Sequence, residues 1–91
     1  MGETRELKDL VSVGPATIKD LNSLGITKVS QLKNKDAHSL YLLLCSRKKR
    51  RIDPCVEDVF AAAIAQAKNQ KLPKGKCKWW YWTKVRKERQ L

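Results

Sequence analysis

The stretch LKDLVSVGPATIKDLNSLGI, residues 7–26, decides the fold of this chain. Its apolar residues begin with a helical spacing, which predicts a first short helix from about Thr4 to Leu10 with Thr4 as its cap. Gly14 can adopt a positive φ, and Pro15 has the fixed φ that suits the first turn of a helix. We therefore expect a tight turn that joins this helix to a second one starting at Pro15.

The rest of the chain predicts helices by the same periodicity. Apolar residues return at every third or fourth position, and residues that suit helix ends bound each run. No segment has the alternating pattern of a β-strand. We therefore expect an all-α fold, a compact bundle of about five short helices. After the first helix, the predicted elements are Pro15–Leu24 closed by Gly25, a short turn over 26–32 capped by Thr27, about Ala37–Arg47 capped by Asp36, and a last helix that opens at Asp53 and Pro54 and has an apolar stripe from Val56 to Ala67.

The C-terminal part differs in composition from the rest. After Asn69 it reads QKLPKGKCKWWYWTKVRKERQL, with little apolar periodicity before an aromatic cluster. We expect residues 1–69 to form a helical domain and residues 70–91 to form a basic, Trp-rich tail that docks partly on that domain.

The chain carries a large excess of positive charge, formally +11 at pH 7 in 91 residues. Residues 1–30 contain equal numbers of basic and acidic side chains, whereas residues 61–91 contain nine basic side chains and one acidic side chain. Such an excess attracts polyanions and accelerates encounter with them. The candidate partners are therefore DNA, RNA and anionic membrane, and most of the charge lies outside the N-terminal third.

Location and metal chemistry are constrained by what the sequence lacks. No stretch has the roughly 20 apolar residues that cross a bilayer, and the start MGETRELKDL lacks the apolar core of a signal peptide. We therefore expect a cytoplasmic protein without a membrane span. Cys45, Cys55 and Cys77 would be reduced there, and their spacing fits no common zinc site. We expect buried, inert thiols and no metal, with a redox pair of Cys45 and Cys55 as the alternative.

Several motifs resemble one protein family. Residues 7–26 look like a helix-hairpin-helix, in which a turn ending in Gly14 joins two helices and the pair Gly25–Ile26 follows, and the family resemblance runs from Leu7 to Tyr41. Further motifs are LC at 44–45, IDPCVEDVFAAA from Ile52 and WWYWT from Trp79. Together they are similar to the bacterial pathogenicity-locus proteins, some of which are called mitomycin-resistance proteins. The resemblance implies a small helix-hairpin-helix protein of SAM-like architecture and no defined biochemical role.

The start of the second helix is a candidate phosphate site. A helix N-terminus has backbone N–H groups without partners and a partial positive charge. The small residues Gly14, Ala16 and Thr17 allow a close approach, and Lys19 adds a cation one turn into the helix. The resemblance implies that amides near these residues contact DNA phosphates, with Ser12 as a further candidate contact, and that hairpin carbonyls can hold a monovalent cation. Ser12 stands where such a hairpin usually has its first glycine, so a structural or protein-binding hairpin is the alternative.

A basic run, defined by Arg47, Lys48, Lys49, Arg50 and Arg51, comes at the predicted end of a helix. Its charge agrees in sign with that of the C-terminal tail, which favours a patch that contacts phosphates. A solvated loop whose cations complement the helix dipole is the alternative.

An aromatic cluster, Trp79, Trp80, Tyr81 and Trp82, lies among lysines in the tail. A small domain gains about 1.5 to 3 kcal/mol for each large side chain that it buries, so we first expect this segment to dock onto the helices. Stacking of Trp79, Trp80 and Trp82 on unpaired bases and contact with a membrane interface are the alternatives.

Catalytic motifs are missing from the sequence. The single histidine, His38, has no evident Ser or Cys partner, while Asp53 is expected to cap a helix and Asp58 to lie on the surface. We therefore expect neither an enzyme nor a cofactor. The first hypothesis is a module that binds single- or double-stranded DNA without sequence specificity through the hairpin amides, the basic run and tail lysines. The second is an adaptor that uses the hairpin as a scaffold and binds a DNA-processing protein.

Overall fold

The computed structural model describes residues 4–89, and this part of the chain is all-α. The outermost residues of the two predicted regions, 1–3 and 90–91, lie outside the described residues. Within 4–89, four α-helices and three short 3-10 helices form a globule with a radius of gyration of 12.5 Å. The all-α prediction is confirmed, whereas the count of five helices is not. The α-helices are α1 (Pro15–Ser23), α2 (Ala37–Lys48), α3 (Cys55–Lys68) and α4 (Trp79–Arg89), and the 3-10 helices are Leu7–Asp9, Val29–Leu32 and Lys74–Cys77.

The segment predicted as the first helix forms only the 3-10 turn Leu7–Asp9. Its N-cap is Glu6 and not Thr4, because the Asp9 carboxylate folds back and accepts the Glu6 amide hydrogen at 2.8 Å. Leu10 already has extended backbone angles, so the chain leaves the helical path there. Both leucines of the segment are buried, which explains why their spacing is informative.

The second predicted helix is observed as α1, and it is closed as expected. Gly25 has a φ of +85°, and the Ile26 amide donates to the Leu21 carbonyl at 2.9 Å across it. This left-handed closure favours glycine, which has no Cβ to strain the backbone. The helix therefore ends at Ser23, one residue before the predicted bound.

The short turn that follows α1 is the 3-10 helix Val29–Leu32, and its cap differs from the prediction. Thr27 does not cap it. The Gln31 side-chain oxygen accepts the amide hydrogens of Thr27 at 2.6 Å and Lys28 at 2.9 Å, because this longer side chain reaches back over the turn. The two apolar ends of the turn are fully buried, so it is anchored in the core.

Asp36 caps α2, as predicted, whereas the N-cap of α3 is Pro54 and not Asp53, which contacts the start of that helix from one position further out. The Asp36 carboxylate accepts the Ser39 amide hydrogen at 3.0 Å. The Asp53 carboxylate accepts the Cys55 amide hydrogen at 2.9 Å, and this bond holds the pKa of Asp53 below its ordinary value. At its other end α2 runs one residue further than predicted, to Lys48.

The central helix of the fold is α3. It packs against both α2 and α4, and its alanines allow close approach of these neighbours. Phe60 on α3 is fully buried and lies among apolar residues from the other elements. The buried core cluster consists of Leu7, Leu10, Val13, Leu21, Ile26, Val29, Leu32, Leu40, Tyr41, Leu44, Phe60, Ala63, Ile64 and Ala67.

The C-terminal segment forms a helix, α4, that the sequence did not predict. It packs along α3, where the Asp58 carboxylate accepts hydrogen bonds from Arg86 at 2.9 and 3.2 Å and from Thr83 at 2.6 Å. The expectation that Asp58 lies on the surface is wrong, because the residue is 1% exposed and these donors compensate its charge. Like the other helices within residues 4–89, α4 is neither long nor apolar enough to cross a membrane.

Candidate nucleic-acid interface

The turn that precedes α1, residues 10–14, is held in place by α3; we call it the N-terminal turn. The Gln66 side chain accepts the Val11 amide hydrogen at 2.8 Å and donates to the Val11 carbonyl at 2.8 Å. Gln66 is 5% exposed and also donates to the Ala62 carbonyl at 3.2 Å. This contact was not predicted, although a single glutamine in the apolar run AAAIAQA indicates a buried polar partner.

Ser12 carries the positive φ of the N-terminal turn, at +71°, whereas Gly14 has extended backbone angles. The left-handed conformation predicted for Gly14 therefore occurs at Ser12, in the place where such a hairpin usually has its first glycine. The Ser12 hydroxyl donates to the Cys77 carbonyl at 3.1 Å and accepts the Trp79 amide hydrogen at 3.1 Å. A glycine could make neither bond. Ser12 therefore links the N-terminal turn to the start of α4, and its hydroxyl is engaged within the protein.

Substitution of Ser12 separates these two contributions. Ser12→Ala keeps the strained φ and loses both hydrogen bonds, so we expect it to lower the free energy of unfolding by about 1 to 3 kcal/mol. Ser12→Gly loses the same bonds but relieves the left-handed strain, so it should be about 1 kcal/mol less destabilising than alanine. Urea unfolding followed by Trp fluorescence measures both values. Equal stability of Ser12→Ala and the wild type would contradict the proposed link.

The start of α1 has backbone amides that the protein leaves open. Gly14 is the N-cap and has no side chain to fold over them, and Pro15 follows at the first helical position. Within residues 4–89, neither the Ala16 nor the Thr17 amide has a hydrogen-bond acceptor. A Cβ built on Gly14 meets nothing within 4 Å, so the site is not crowded. The predicted residues thus lie together at one open helix start, and Lys19 is exposed on the same helix.

Two carbonyl groups of the N-terminal turn accept hydrogen bonds within the protein. The Leu10 carbonyl accepts the Val13 amide hydrogen at 3.3 Å, and the Val11 carbonyl accepts a hydrogen bond from Gln66 at 2.8 Å. A carbonyl oxygen has two lone pairs and can accept more than one contact, so the monovalent cation that the resemblance implies stays a prediction.

The basic run lies beside α1. The Lys48 ammonium is 3.1 Å from the Asp20 carboxylate, which joins the end of α2 to the middle of α1. Asp20 is five residues beyond Pro15, and at about 1.5 Å per residue this is roughly 8 Å along the helix from its start. The fold thus ties a strongly basic segment, through Lys48, to the helix that carries the open amides, although the N-terminal third of the sequence is itself neutral.

Three cations of the run are available to a ligand. Arg47, Lys49 and Arg50 are exposed, and none has an acidic partner within residues 4–89. Lys49 has a φ of +53°, a conformation in which glycine is the usual residue at a helix end. The Arg50 amide closes α2 by donating to the Cys45 carbonyl at 3.2 Å. The end of α2 therefore has a lysine at a position where glycine would be less strained.

Arg51 differs from these three because it lies against Tyr41. Burial raises the pKa of the Tyr41 hydroxyl and Cys45 raises it further, while the Arg51 guanidinium opposes the rise. The Tyr41 hydroxyl itself donates to the Ile52 carbonyl. Arg51 therefore has a contact within the protein, as Lys48 does.

The indoles of α4 differ in exposure. Trp79 and Trp82 are half-buried, and Trp82 donates its N–H to the Lys76 carbonyl at 2.7 Å. Trp80 is 58% exposed. Because Ser12 binds the Trp79 amide, the residue next to Trp80 is fixed against the N-terminal turn. One of the three indoles that the sequence singled out is therefore open to solvent close to this turn.

A cleft of about 400 Å³ lies between α2, α3 and α4. Its lining includes the buried pair of Asp58 and Arg86 and the pair of His38 and Glu57, whose Nδ1 and Oε1 atoms are 2.8 Å apart. In the part of the chain that the structure describes, no group of three or more His, Cys, Asp or Glu side chains could hold a metal ion. Of the acidic groups of the cleft, Asp58 is thus in an ion pair and Glu57 is in a hydrogen bond with His38.

The three cysteines are unpaired. Cys77 is buried, whereas Cys45 and Cys55 are half-buried, so the expectation of burial is correct for Cys77 alone. Desolvation raises the pKa of the Cys55 thiol, and its hydrogen bond with Asp53 raises it further. A thiol with a raised pKa forms less of the nucleophilic thiolate at neutral pH.

Known proteins resemble the chain over nearly its whole length. The model of the family described as pathogenicity locus matches residues 2–88. A Streptomyces lavendulae protein named mitomycin resistance protein McrB is 34% identical over 82 residues, which cover 90% of this chain and 74% of that protein. No solved structure matches the chain.

Proposed function

The chain belongs to the pathogenicity locus family, and we propose that it is a non-catalytic module that binds DNA phosphates without sequence specificity. In this proposal the 3-10 helix Leu7–Asp9, the N-terminal turn and α1 act as a helix-hairpin-helix. The open amides at the start of α1 hold one phosphate. Lys19 and the free cations of the basic run contact neighbouring phosphates. Because phosphates carry no base identity, such contacts give affinity without specificity.

The observation that carries the proposal is the 3.1 Å contact between Lys48 and Asp20. It ties a segment with exposed cations to the helix whose start no side chain caps. Either feature alone has an ordinary explanation, because a basic loop can be solvated and open amides can bind water. Their proximity suits a polyanion, which binds through several phosphates at once.

The pairing of Lys48 also removes an obstacle to DNA. Asp20 is the single acidic residue of α1, and unpaired it would repel a phosphate at the start of that helix. Its partner Lys48 neutralises this charge, and the Lys48 ammonium is then not available to a phosphate. No unpaired acidic side chain of α1 therefore reduces the attraction of the remaining cations for a phosphate.

Removal of the three free cations should weaken DNA binding. The variant Arg47→Gln, Lys49→Gln and Arg50→Gln keeps Lys48 and Arg51, whose side chains have contacts within the protein. We expect its duplex affinity at low salt to fall roughly 10- to 100-fold, since each exposed ionic contact contributes up to about 1 kcal/mol. The slope of log K against log salt should decrease in magnitude by about 0.9 for each phosphate that the variant no longer neutralises. Fluorescence anisotropy of a labelled duplex across a salt series measures both quantities.

A matched variant removes the same charge from another region. Lys33→Gln, Lys35→Gln and Lys68→Gln also lowers the net charge by three, and all three lysines are exposed. Lys35 precedes α2, about 18 Å along that helix from the basic run, and Lys68 lines the same cleft as Lys35. We expect this variant to bind the duplex nearly as well as the wild type. Equal losses in the two variants would show that net charge alone matters and would contradict the proposed interface.

An adaptor function is the second candidate, and two exposed leucines favour it. Leu42 and Leu43 on α2 are 53% and 43% exposed. Exposed apolar side chains of this kind can mark a protein interface. A DNA-processing protein bound there would remain attached after nuclease treatment and at moderate salt. Serine at both positions would release it, whereas the triple glutamine variant of the basic run would not.

A further inference from the structure

The exposed indole of Trp80 offers the proposed DNA site a second kind of contact. We propose that it stacks on an unpaired base of a strand whose phosphate lies at the N-terminal turn. This inference rests on the proposed DNA-binding function. It adds a preference for single strands, and for ends or junctions with unpaired bases, over intact duplex.

Ser12 places the start of α4 against the N-terminal turn. Its hydroxyl binds the Cys77 carbonyl and the Trp79 amide, each at 3.1 Å, and joins segments 65 and 67 residues apart in sequence. Gly14 follows Ser12 by two residues, and Trp80 follows Trp79 by one. The exposed indole and the open amides of α1 therefore lie within a few residues of the same hydroxyl. In this proposal a strand held at these amides reaches the indole.

Packing does not account for the position of Trp80. Its side chain is the most exposed of the large apolar residues within 4–89, at 58%, while Trp79 and Trp82 are half-buried. The centres of the Trp79 and Trp80 rings are 5.8 Å apart with an interplanar angle of 80°, so the half-buried Trp79 supports the exposed ring edge to face. A ring that is already held in place loses little freedom when a ligand stacks on it.

The charge around Trp80 suits a strand of nucleic acid. The Lys78 ammonium lies 5.7 Å from the centre of the Trp80 ring. Stacking of a base on an aromatic ring is roughly two to three times stronger than a cation–π contact at an exposed site. A base can therefore displace the ammonium, which then pairs with a phosphate of the same strand. From Lys68 to Lys87 the sequence contains no acidic residue that would repel that strand.

A membrane fits this surface less well than a base does. Binding in a membrane interface requires a broad apolar face along a helix. On α4, Trp80 is the one large apolar side chain that is mostly exposed among the described residues. One aromatic ring that the protein holds in place is suited to stacking on one base.

The test compares Trp80→Ala and Trp80→Phe with the wild type on labelled oligo(dT) and on a labelled duplex of equal length, at one low salt concentration. We expect Trp80→Ala to weaken oligo(dT) binding roughly 5- to 100-fold and to leave duplex binding within about twofold. Trp80→Phe should retain most of the oligo(dT) affinity, because it keeps an aromatic face. Duplex binding by each variant also reports that its fold is intact.

The outcomes separate this inference from the function on which it rests. Unchanged oligo(dT) affinity in Trp80→Ala, or an equal loss on both DNAs, would overturn base stacking while the wild type still bound duplex. If the wild type bound neither DNA, the proposed function itself would be overturned. A Trp80-dependent shift of fluorescence with anionic phosphatidylserine vesicles, and none with oligo(dT), would assign this surface to a membrane and overturn the inference.

Discussion

Replacing Asp58 with alanine is expected to lower the free energy of unfolding by about 3 to 5 kcal/mol. The Asp58 side chain is 2% exposed and accepts two hydrogen bonds from Arg86 and one from Thr83. Its loss would leave the Arg86 guanidinium, whose pKa this hydrogen bond raises, without its hydrogen-bonded counter-charge at a site that is only 16% exposed, with Glu57 as a more distant negative charge. A chain of this size has roughly 5 to 14 kcal/mol of stability in total. Urea unfolding, with hydrogen exchange of the α4 amides, should show α4 released first or the whole chain unfolding early.

The double variant Asp58→Ala with Arg86→Ala tests whether the unpaired charge causes the loss. It should be less destabilised than the sum of the two single variants, because no isolated buried charge remains. Thr83→Ala removes one hydrogen bond and keeps the ion pair, so we expect a cost of about 1 kcal/mol. An Asp58→Ala protein that unfolds within about 1 kcal/mol of the wild type would show that this pair does not anchor α4.

Local patterns predicted the helices whose stability is encoded locally. The bounds of α1 followed from Pro15 and Gly25, and the start of α2 followed from Asp36. α4 escaped prediction because its anchor joins Asp58 to Arg86 across 28 residues, and its own sequence has no regular apolar stripe. Apolar periodicity depends on residues within one or two helical turns of each other, so it cannot indicate a pair of residues so far apart in the sequence.

In the candidate site, the individual motifs could likewise be predicted from the sequence, whereas their arrangement in space could not. Its parts are recognisable one by one, since a glycine and a proline mark the start of α1 and five consecutive cations mark the basic run. The way these parts are arranged in space cannot be recognised from the sequence, because it depends on contacts between distant residues. Gln66 binds the N-terminal turn across 55 residues and Ser12 reaches Cys77 across 65. In the sequence Ser12 is only a departure from the usual hairpin, whereas the structure shows that its hydroxyl has a structural use.

Replacing Gly14 with aspartate is expected to stabilise the protein and weaken its DNA binding. Gly14 has a φ of −104°, which suits any residue, and a Cβ there meets nothing within 4 Å. An N-cap aspartate accepts amide hydrogens at the second and third helical positions, here Ala16 and Thr17, and is a few tenths of a kcal/mol better than glycine. The same carboxylate takes the place of the phosphate and repels it. We expect a loss of roughly 10- to 100-fold in affinity, since a charge-assisted hydrogen bond contributes about 1.5 to 3 kcal/mol.

Gly14→Ala is the matched control, because its methyl group fits the same space and leaves both amides open. It should be slightly less stable than the wild type and bind DNA with similar affinity. The most direct measurement is the anisotropy of a labelled duplex at low salt with Gly14→Asp and Gly14→Ala, alongside the thermal unfolding of each. We predict opposite orders, with the aspartate variant the more stable protein and the weaker binder. Equal DNA affinity in the two variants would show that the amides of α1 hold no phosphate, and it would contradict the proposed mode of binding.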